Sequence, residues 1–178
     1  MTNRGVLLYL LMKELGADAR LETFRDRLLL QKGVYLLQAL GIPTDFSYNW
    51  YIRGPYSPGL TQAAFEEVVK PINQADKTCE SYSLTDDAQK KVEEFKSIAC
   101  EYDEADLTKE KWLELLASMH FYRHKMYFPP SERSERARAQ WLYEKLPAEN
   151  HSGLQNAIVV SRASVMSHFM IYLPKTTC

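Results

Sequence analysis

The sequence predicts a mainly α-helical protein with a small β component. Most segments carry apolar residues at every third or fourth position, which is the period of an amphipathic helix. Segment 47–52 instead alternates large apolar residues with others, which is the period of a half-buried strand. With 178 residues, 46% of them hydrophobic and 25% charged, the chain has enough apolar material for one core. We therefore expect a single domain over residues 1–178.

Two helices are expected at the start of the chain. The first spans about residues 4–15 and ends at Gly16. The second begins at Thr23 or Asp26, either of which can cap it. Its apolar residues surround the helix, which predicts burial on most sides, and Gly41 follows its last turn.

The aromatic segment 47–52 is expected to be a strand with one face in the core. Alternation places Trp50 and Ile52 on the core face. Tyr51 and Arg53 then lie together on the outer face, beside a Gly-Pro turn. An exposed pair next to a rigid turn is typical of a preorganised contact surface, because rigidity lowers the entropy cost of association.

A turn and a third helix follow the strand. Segment 53–59 contains two glycines and two prolines, which predicts a turn. The third helix is expected over 58–69, with Ser57 as its N-cap and Pro71 as its stop. The residues expected to face the core are Leu60, Ala64, Phe65 and Val68.

Segment 79–88 predicts a short strand that leads into a fourth helix. The strand carries Tyr82 and Leu84, and Thr85 caps the helix. This pattern resembles the wing strand and following helix of winged-helix domains. Together with the three preceding helices and the aromatic strand, it predicts a winged-helix-like half over residues 1–100. The residues that the fourth helix is expected to bury are Ala88, Val92, Phe95 and Ala99.

The rest of the chain predicts a helical half over 107–173, packed on the first half. An acidic linker, 101–106, precedes it. Thr108 is the expected N-cap of its first helix, which carries Trp112 in the core. Trp141, on a later helix, is expected to share that core.

Residues 27–60 carry a family resemblance. A Leu-Gln-Lys helix with a following Tyr precedes an aromatic strand that ends in Gly-Pro and a second Pro. The positions are Leu30, Gln31, Lys32, Tyr35, Trp50, Gly54, Pro55 and Pro58. With a second match at 113–122, the pattern resembles the YwgA-like proteins and, more distantly, the Panacea domain of SocA-type antitoxins. The Panacea resemblance implies neutralisation of a partner in prokaryotic conflict systems.

We therefore interpret the chain as a small cytoplasmic protein-interaction module, antitoxin-like or associated with phage or antiviral defence. The expected partner is a protein, either a toxin or a defence component. No cofactor is expected, and the oligomeric state is left open. An aromatic share of 12% favours a partner surface. The residues expected to form that surface are Gln31, Lys32, Tyr48, Trp50, Tyr51, Arg53, Gly54, Pro55 and Tyr56.

Two alternatives stay open. The first is a winged-helix regulator that binds nucleic acid through basic residues of the C-terminal half. A net charge of −1 gives the whole chain no attraction for phosphates, so this binding would depend on a local patch. The second alternative is an enzyme whose site matches no common motif. The basic residues of the first alternative are Arg123, Lys125, Arg133, Arg136 and Arg138.

The common catalytic and metal-binding patterns are absent from the sequence. His120 and His124 are four residues apart on a predicted helix, but no glutamate follows His120 and no third ligand is evident. We therefore predict no metal and no catalytic residue. Three cysteines form no metal pattern, and no run of residues has the length and apolarity of a membrane span or a signal peptide. A cytoplasmic location without membrane attachment is the resulting expectation.

Overall fold

The computed structural model describes residues 1–99, 107–126 and 144. Helices dominate these residues, and their β structure is one two-stranded antiparallel hairpin, so the mainly α class with a small β part is confirmed. The helices are α1 (Asn3–Leu15), α2 (Phe24–Ala39), α3 (Pro58–Ala64), α4 (Lys70–Asn73), α5 (Asp86–Ala99) and α6 (Lys109–His124). The strands are β1 (Asn49–Tyr51) and β2 (Gly54–Tyr56).

Local capping sets the ends of α1 and α2. Thr2 caps α1, and Gly16 ends it in the left-handed conformation with a φ of 72°. Thr23 caps α2, because its side-chain oxygen accepts a hydrogen bond from the backbone N–H of Asp26 at 3.1 Å. Gly41, with a φ of 94°, follows the last turn of α2. The predicted ends of both helices are confirmed.

The central element is α2, which packs against α1, α5, α6 and β2. Every residue from 28 to 37 is buried, as the sequence predicted for a helix surrounded on most sides. This run includes two polar residues, Gln31 and Lys32, whose exposed fractions are 4% and 3%. Such groups need hydrogen-bond partners inside the protein, and the hairpin supplies them.

The core joins α5 and α6 to α2. Trp112 of α6 is fully buried, as predicted, and its indole Nε1 donates a hydrogen bond to the backbone oxygen of Ile98 at 2.9 Å. Thr85 caps α5 through the backbone N–H of Ala88 at 3.3 Å, and Thr108 caps α6, so both predicted caps are confirmed. Trp141 lies outside the described residues. The residues that α5 buries are Val92, Phe95, Ile98 and Ala99, whereas Ala88 is half-buried.

The predicted wing strand is wrong. Residues Thr78–Ser81 form a short 3-10 helix, and residues 82–85 form no strand. The aromatic strand β1 instead pairs with β2, which the sequence predicted as part of a turn. A proline is tolerated in β2 because this strand lies at the edge of a small sheet.

The prediction that Pro71 stops the third helix is also wrong. A π-helical turn, Phe65–Val69, follows α3 and leads directly into α4, which contains Pro71. In this turn the backbone N–H of Lys70 bonds the carbonyl of Phe65, five residues back. The wider turn just before Pro71 relieves the clash between a proline ring and the preceding turn of an α-helix.

Candidate partner-binding groove

A groove of about 310 Å³ lies between α2, the hairpin and α3 with its π-helical turn. Large apolar side chains surround it, with exposed fractions of 56% for Phe24, 59% for Tyr51, 68% for Ile52 and 38% for Phe65. We call these four residues the apolar rim. Within the described residues, the other large hydrophobic side chain with such exposure is Tyr82, which does not line the groove. The exposed apolar surface is therefore concentrated at one concave place.

The tip of the hairpin depends on a glycine. Ile52 and Arg53 form the turn, and Gly54 follows with a φ of 79°, which side chains other than that of glycine rarely allow. A Cβ at Gly54 would also overlap the hydroxyl oxygen of Ser118 on α6. Gly54 thus lets the hairpin turn tightly and lie directly against α6.

Gln31 holds the end of β2. Its amide nitrogen donates hydrogen bonds to the backbone oxygen of Ser57 at 3.0 Å and to the hydroxyl of Thr61 at 2.8 Å. Its amide oxygen accepts from the backbone N–H of Ser57 at 2.9 Å. Ser57 in turn caps α3. One side chain of α2 therefore fixes both the end of the hairpin and the start of the next helix.

Lys32 holds the middle of β2. Its ammonium nitrogen donates a hydrogen bond to the backbone oxygen of Pro55 at 2.7 Å. Burial lowers the pKa of Lys32 to about 8, Glu114 opposes this shift, and the positive charge of Arg53 adds to it. Glu114, whose side chain is 1% exposed, accepts from Arg53 Nη1 at 3.1 Å. We call Gln31, Lys32 and Glu114 the polar anchor of the hairpin.

Most of the predicted contact residues do meet at the groove. Tyr51 is exposed, as expected. The Arg53 side chain is only 36% exposed, and it forms an ion pair with Glu114. Gln31 and Lys32 are buried, which corrects the expectation that they lie on the contact surface. Their hydrogen bonds position that surface from behind. The predicted residues that line the groove are Gln31, Lys32, Tyr51, Arg53, Gly54 and Tyr56.

The other predicted contact residues, Tyr48, Trp50 and Pro55, do not line the groove. The Tyr48 ring packs edge-on against Tyr35 with centroids 4.9 Å apart, and the Trp50 ring lies 6.1 Å from that of Phe121. Pro55 is buried in β2. The predicted inward side of Trp50 is confirmed. The same prediction for Ile52 is wrong, because β1 ends at Tyr51 and the turn breaks the alternation.

Sequence reasoning missed Phe24, Phe65, Arg27 and Glu114. Phe65 was expected in the core, but it begins the π-helical turn, which changes the rotation of the helix and leaves the ring 38% exposed. Phe24 follows the N-cap of α2, at a position that contributes no buried face. The one available signal for Glu114 is its place as a single carboxylate within an apolar run of α6.

His120 belongs to a second polar cluster beneath the hairpin. Its Nδ1 lies 2.7 Å from the hydroxyl of Tyr35, and burial lowers its pKa to about 4, with His124 and Lys125 acting in the same direction. The ring is therefore uncharged near neutral pH, and its Nδ1 shares a hydrogen bond with the Tyr35 hydroxyl. The His124 ring is 4.6 Å away, but the described residues contain no group of three or more His, Cys, Asp or Glu residues that would hold a metal ion.

The basic residues of the nucleic-acid alternative are mostly outside the described residues. Arg123 is half-buried in the last turn of α6, and the exposed Lys125 follows as its C-cap. The structure does not describe Arg133, Arg136 or Arg138. Across residues 1–99 and 107–126, no helix has the length and apolarity needed to cross a membrane.

Comparison of the chain with protein-family models, with curated proteins and with solved structures found no match. The resemblance to the YwgA-like proteins and the Panacea domain therefore stays a prediction. The candidate functional site is the groove, where the polar anchor positions the apolar rim.

Proposed function

We propose that this chain is a protein-interaction module that binds a partner protein at the groove. The observation that carries the proposal is the concentration of four exposed large apolar side chains around one concave site. Fully burying such a side chain stabilises a complex by about 1.5–3 kcal/mol. Aromatic and apolar anchors at the centre of an interface account for most of its binding free energy.

The rigidity of the hairpin supports this proposal. Gln31 makes three hydrogen bonds to Ser57 and Thr61, and Lys32 bonds the carbonyl of Pro55. Tyr51 and Ile52 are therefore presented on a backbone that is already ordered. A partner that covers them loses less conformational entropy than one that must first order a flexible loop.

The biological context of the proposal comes from the family resemblance. The match at residues 30–35 and 50–58 favours a toxin, or another component of phage or antiviral defence, as the partner. The proposed role is then that of an antitoxin-like protein in the cytoplasm. The groove itself supports partner binding, whereas the resemblance alone supports the antitoxin role.

A capture experiment tests partner binding. The immobilised full chain is incubated with host lysate, and the retained proteins are identified for wild type, for Phe24→Ser/Ile52→Ser and for Tyr82→Ser. Tyr82 is as exposed as Phe24 but lies away from the groove, so its variant is the matched control. We expect a protein that wild type and Tyr82→Ser retain and that the groove variant loses. Equal retention by all three would contradict binding at the groove.

A growth experiment tests the antitoxin role separately. The captured protein is expressed alone, with wild type and with Phe24→Ser/Ile52→Ser. We expect it to stop growth alone and with the groove variant, and wild type to restore growth. A captured protein that is harmless when expressed alone would contradict the antitoxin role and leave partner binding intact.

Nucleic-acid binding is the weaker proposal. The segment in the place of a winged-helix recognition helix, 58–69, carries Glu66 and Glu67, which phosphates repel. A mobility shift with duplex and single-stranded probes at two salt concentrations tests this alternative. Binding that weakens steeply as salt rises would favour it over the groove.

A further inference from the structure

The groove contains a buried amine, that of Lys32. Among the described residues that line the groove, Lys32 is the one lysine. Much of the remaining lining is aliphatic or aromatic, so the Lys32 side chain lies in an apolar surrounding. A lysine that is desolvated in a hydrophobic pocket is a typical nucleophilic amine. The apolar residues that line the groove beside it include Leu21, Leu28, Leu30, Phe24 and Phe65.

The fold uses one of the three hydrogen-bond donors of the Lys32 ammonium group. Its nitrogen donates to the backbone oxygen of Pro55 at 2.7 Å. Glu114, which forms its ion pair with Arg53, acts on Lys32 through its charge. The effect of burial is larger, and the pKa of Lys32 falls to about 8. About a quarter of this amine is then uncharged at pH 7.5, against about 0.1% for a lysine with an ordinary pKa.

We propose that the groove binds a small apolar aldehyde as an imine of Lys32. The uncharged amine nitrogen attacks the carbonyl carbon, and a C–N bond forms. The carbonyl oxygen then leaves as water with both hydrogens of the amine, and a C=N bond remains. The step is reversible and needs no oxidant or reductant. It gives the groove a small-molecule ligand in addition to the proposed protein partner.

The imine keeps the hydrogen bond that holds the hairpin. A protonated imine has one N–H, and Lys32 uses one donor to reach the backbone oxygen of Pro55. The aldehyde carbon therefore replaces N–H groups that this contact does not use. Gln31 holds the end of β2 separately, through its three hydrogen bonds to Ser57 and Thr61. Imine formation is thus compatible with the position of the hairpin.

The size and the lining of the groove select the ligand. Its volume of about 310 Å³ is at the lower end of the usual range for small-molecule sites, about 300–1,000 Å³. The apolar lining favours a hydrocarbon tail, because each buried methylene improves binding about fourfold. Exposed lysines also form imines with aldehydes, but they have no cavity for the tail. A dependence on tail length therefore distinguishes the groove from ordinary lysine chemistry.

Reductive trapping on the full chain tests the proposal. Hexanal or propanal is equilibrated with the protein at pH 7.5, borohydride reduces the imines to stable amines, and peptide mass spectrometry locates them. We expect half of Lys32 to be modified at a hexanal concentration about tenfold lower than for Lys90, an exposed lysine of α5. Lys32 should also need about tenfold less hexanal than propanal, because hexanal has a longer tail to bury. Lys90 should respond equally to both aldehydes.

Two variants assign the adduct to the groove. Lys32→Met should lose the adduct that forms at low hexanal concentration, and Lys90→Met should keep it. Peptide mapping of wild type decides the test if Lys32→Met fails to fold. Modification of Lys32 and Lys90 at the same hexanal concentration would overturn the proposal, and so would equal modification of Lys32 by the two aldehydes. Neither result bears on partner binding, which the capture experiment measures separately.

Discussion

The two sides of the hairpin reverse the usual distribution of polar and apolar residues. Behind it, Gln31, Lys32 and Glu114 are almost completely buried. In front of it, Tyr51 and Ile52 are more than half exposed. Most globular proteins instead bury apolar side chains and expose charged ones. Directional polar bonds therefore help to place the hairpin, together with the packed rings of Tyr48 and Trp50, and Tyr51 and Ile52 remain exposed for another molecule.

Holding a hairpin with buried polar groups costs desolvation free energy. Each buried charge loses its hydration, and its ion pair recovers only part of that loss, so a well-packed apolar core would be at least as stable. A hydrogen bond, however, fixes the direction and distance of its partner. Changes in the polar anchor should therefore reduce the free energy of unfolding, whereas changes in the apolar rim should affect binding.

The largest effect is expected for Glu114→Ala. Lys32 and Arg53 would lose their buried opposite charge, which should lower the free energy of unfolding by about 3–5 kcal/mol. Urea denaturation followed by circular dichroism measures this change. The control is Glu110→Ala on the same helix, where the ion pair with Arg25 is partly exposed and should contribute about 1 kcal/mol or less. Equal losses for the two variants would show that the anchor is solvated.

Alkaline pH should stabilise the fold through Lys32. Its pKa is about 8 in the folded protein and returns to its ordinary value of 10.5 on unfolding, so between these pH values the unfolded chain binds more protons. The free energy of unfolding should rise with pH across this window by up to about 3 kcal/mol, since one pKa unit corresponds to about 1.4 kcal/mol. Below pH 8 both states are protonated and the contribution is constant.

The Lys32→Met variant isolates this effect in the same urea denaturation series. Burial raises the pKa values of Tyr35 and Tyr48, which reduces stability at higher pH, and both tyrosines remain in the variant. Subtracting the two stability curves should therefore leave the Lys32 contribution. A difference curve that is flat from pH 8 to 10.5 would contradict the lowered pKa of Lys32.

Two glycine variants should separate backbone strain from crowding at the hairpin. Gly54 and Gly16 have similar φ values, 79° and 72°, but a Cβ at Gly54 meets Ser118 whereas one at Gly16 meets nothing within 4 Å. Gly54→Ala should therefore cost about 1–3 kcal/mol more than Gly16→Ala, the usual range for an overpacked site. Denaturation midpoints check the difference. Equal costs would show that the hairpin moves away from α6 freely.

The boundaries of the long helices were predictable because their signals are local. Thr23, Thr85 and Thr108 cap α2, α5 and α6 through hydrogen bonds to residues three positions later. The helix around Pro71 was mispredicted because the sequence rule assumes α-helical geometry, whereas a π-helical turn precedes this proline. The prediction of a wing strand at 82–84 was wrong because no segment among residues 1–99 and 107–126 pairs with it.

The candidate site was predictable only in part, because burial depends on tertiary contacts. The exposed position of Tyr51 followed from strand alternation, which is local. Lys32 and Glu114 come from opposite halves of the chain, and nothing near either residue in the sequence indicates that they meet. The exposed ring of Phe65 had no signal either, since an aromatic residue in a helix is ordinarily assigned to the core.

The smallest effect on stability is expected at the rim itself. Ile52 is 68% exposed in the folded protein, so truncating it removes little buried surface, and Ile52→Ala should change the free energy of unfolding by about 0.5 kcal/mol or less. Leu37→Ala, a truncation of a fully buried residue of α2, should cost about 2–5 kcal/mol and is the matched comparison in the same urea series. If Ile52→Ala cost as much as Leu37→Ala, another part of the chain would cover the rim in solution. The groove would then be an internal contact, and the partner surface would have to be sought elsewhere.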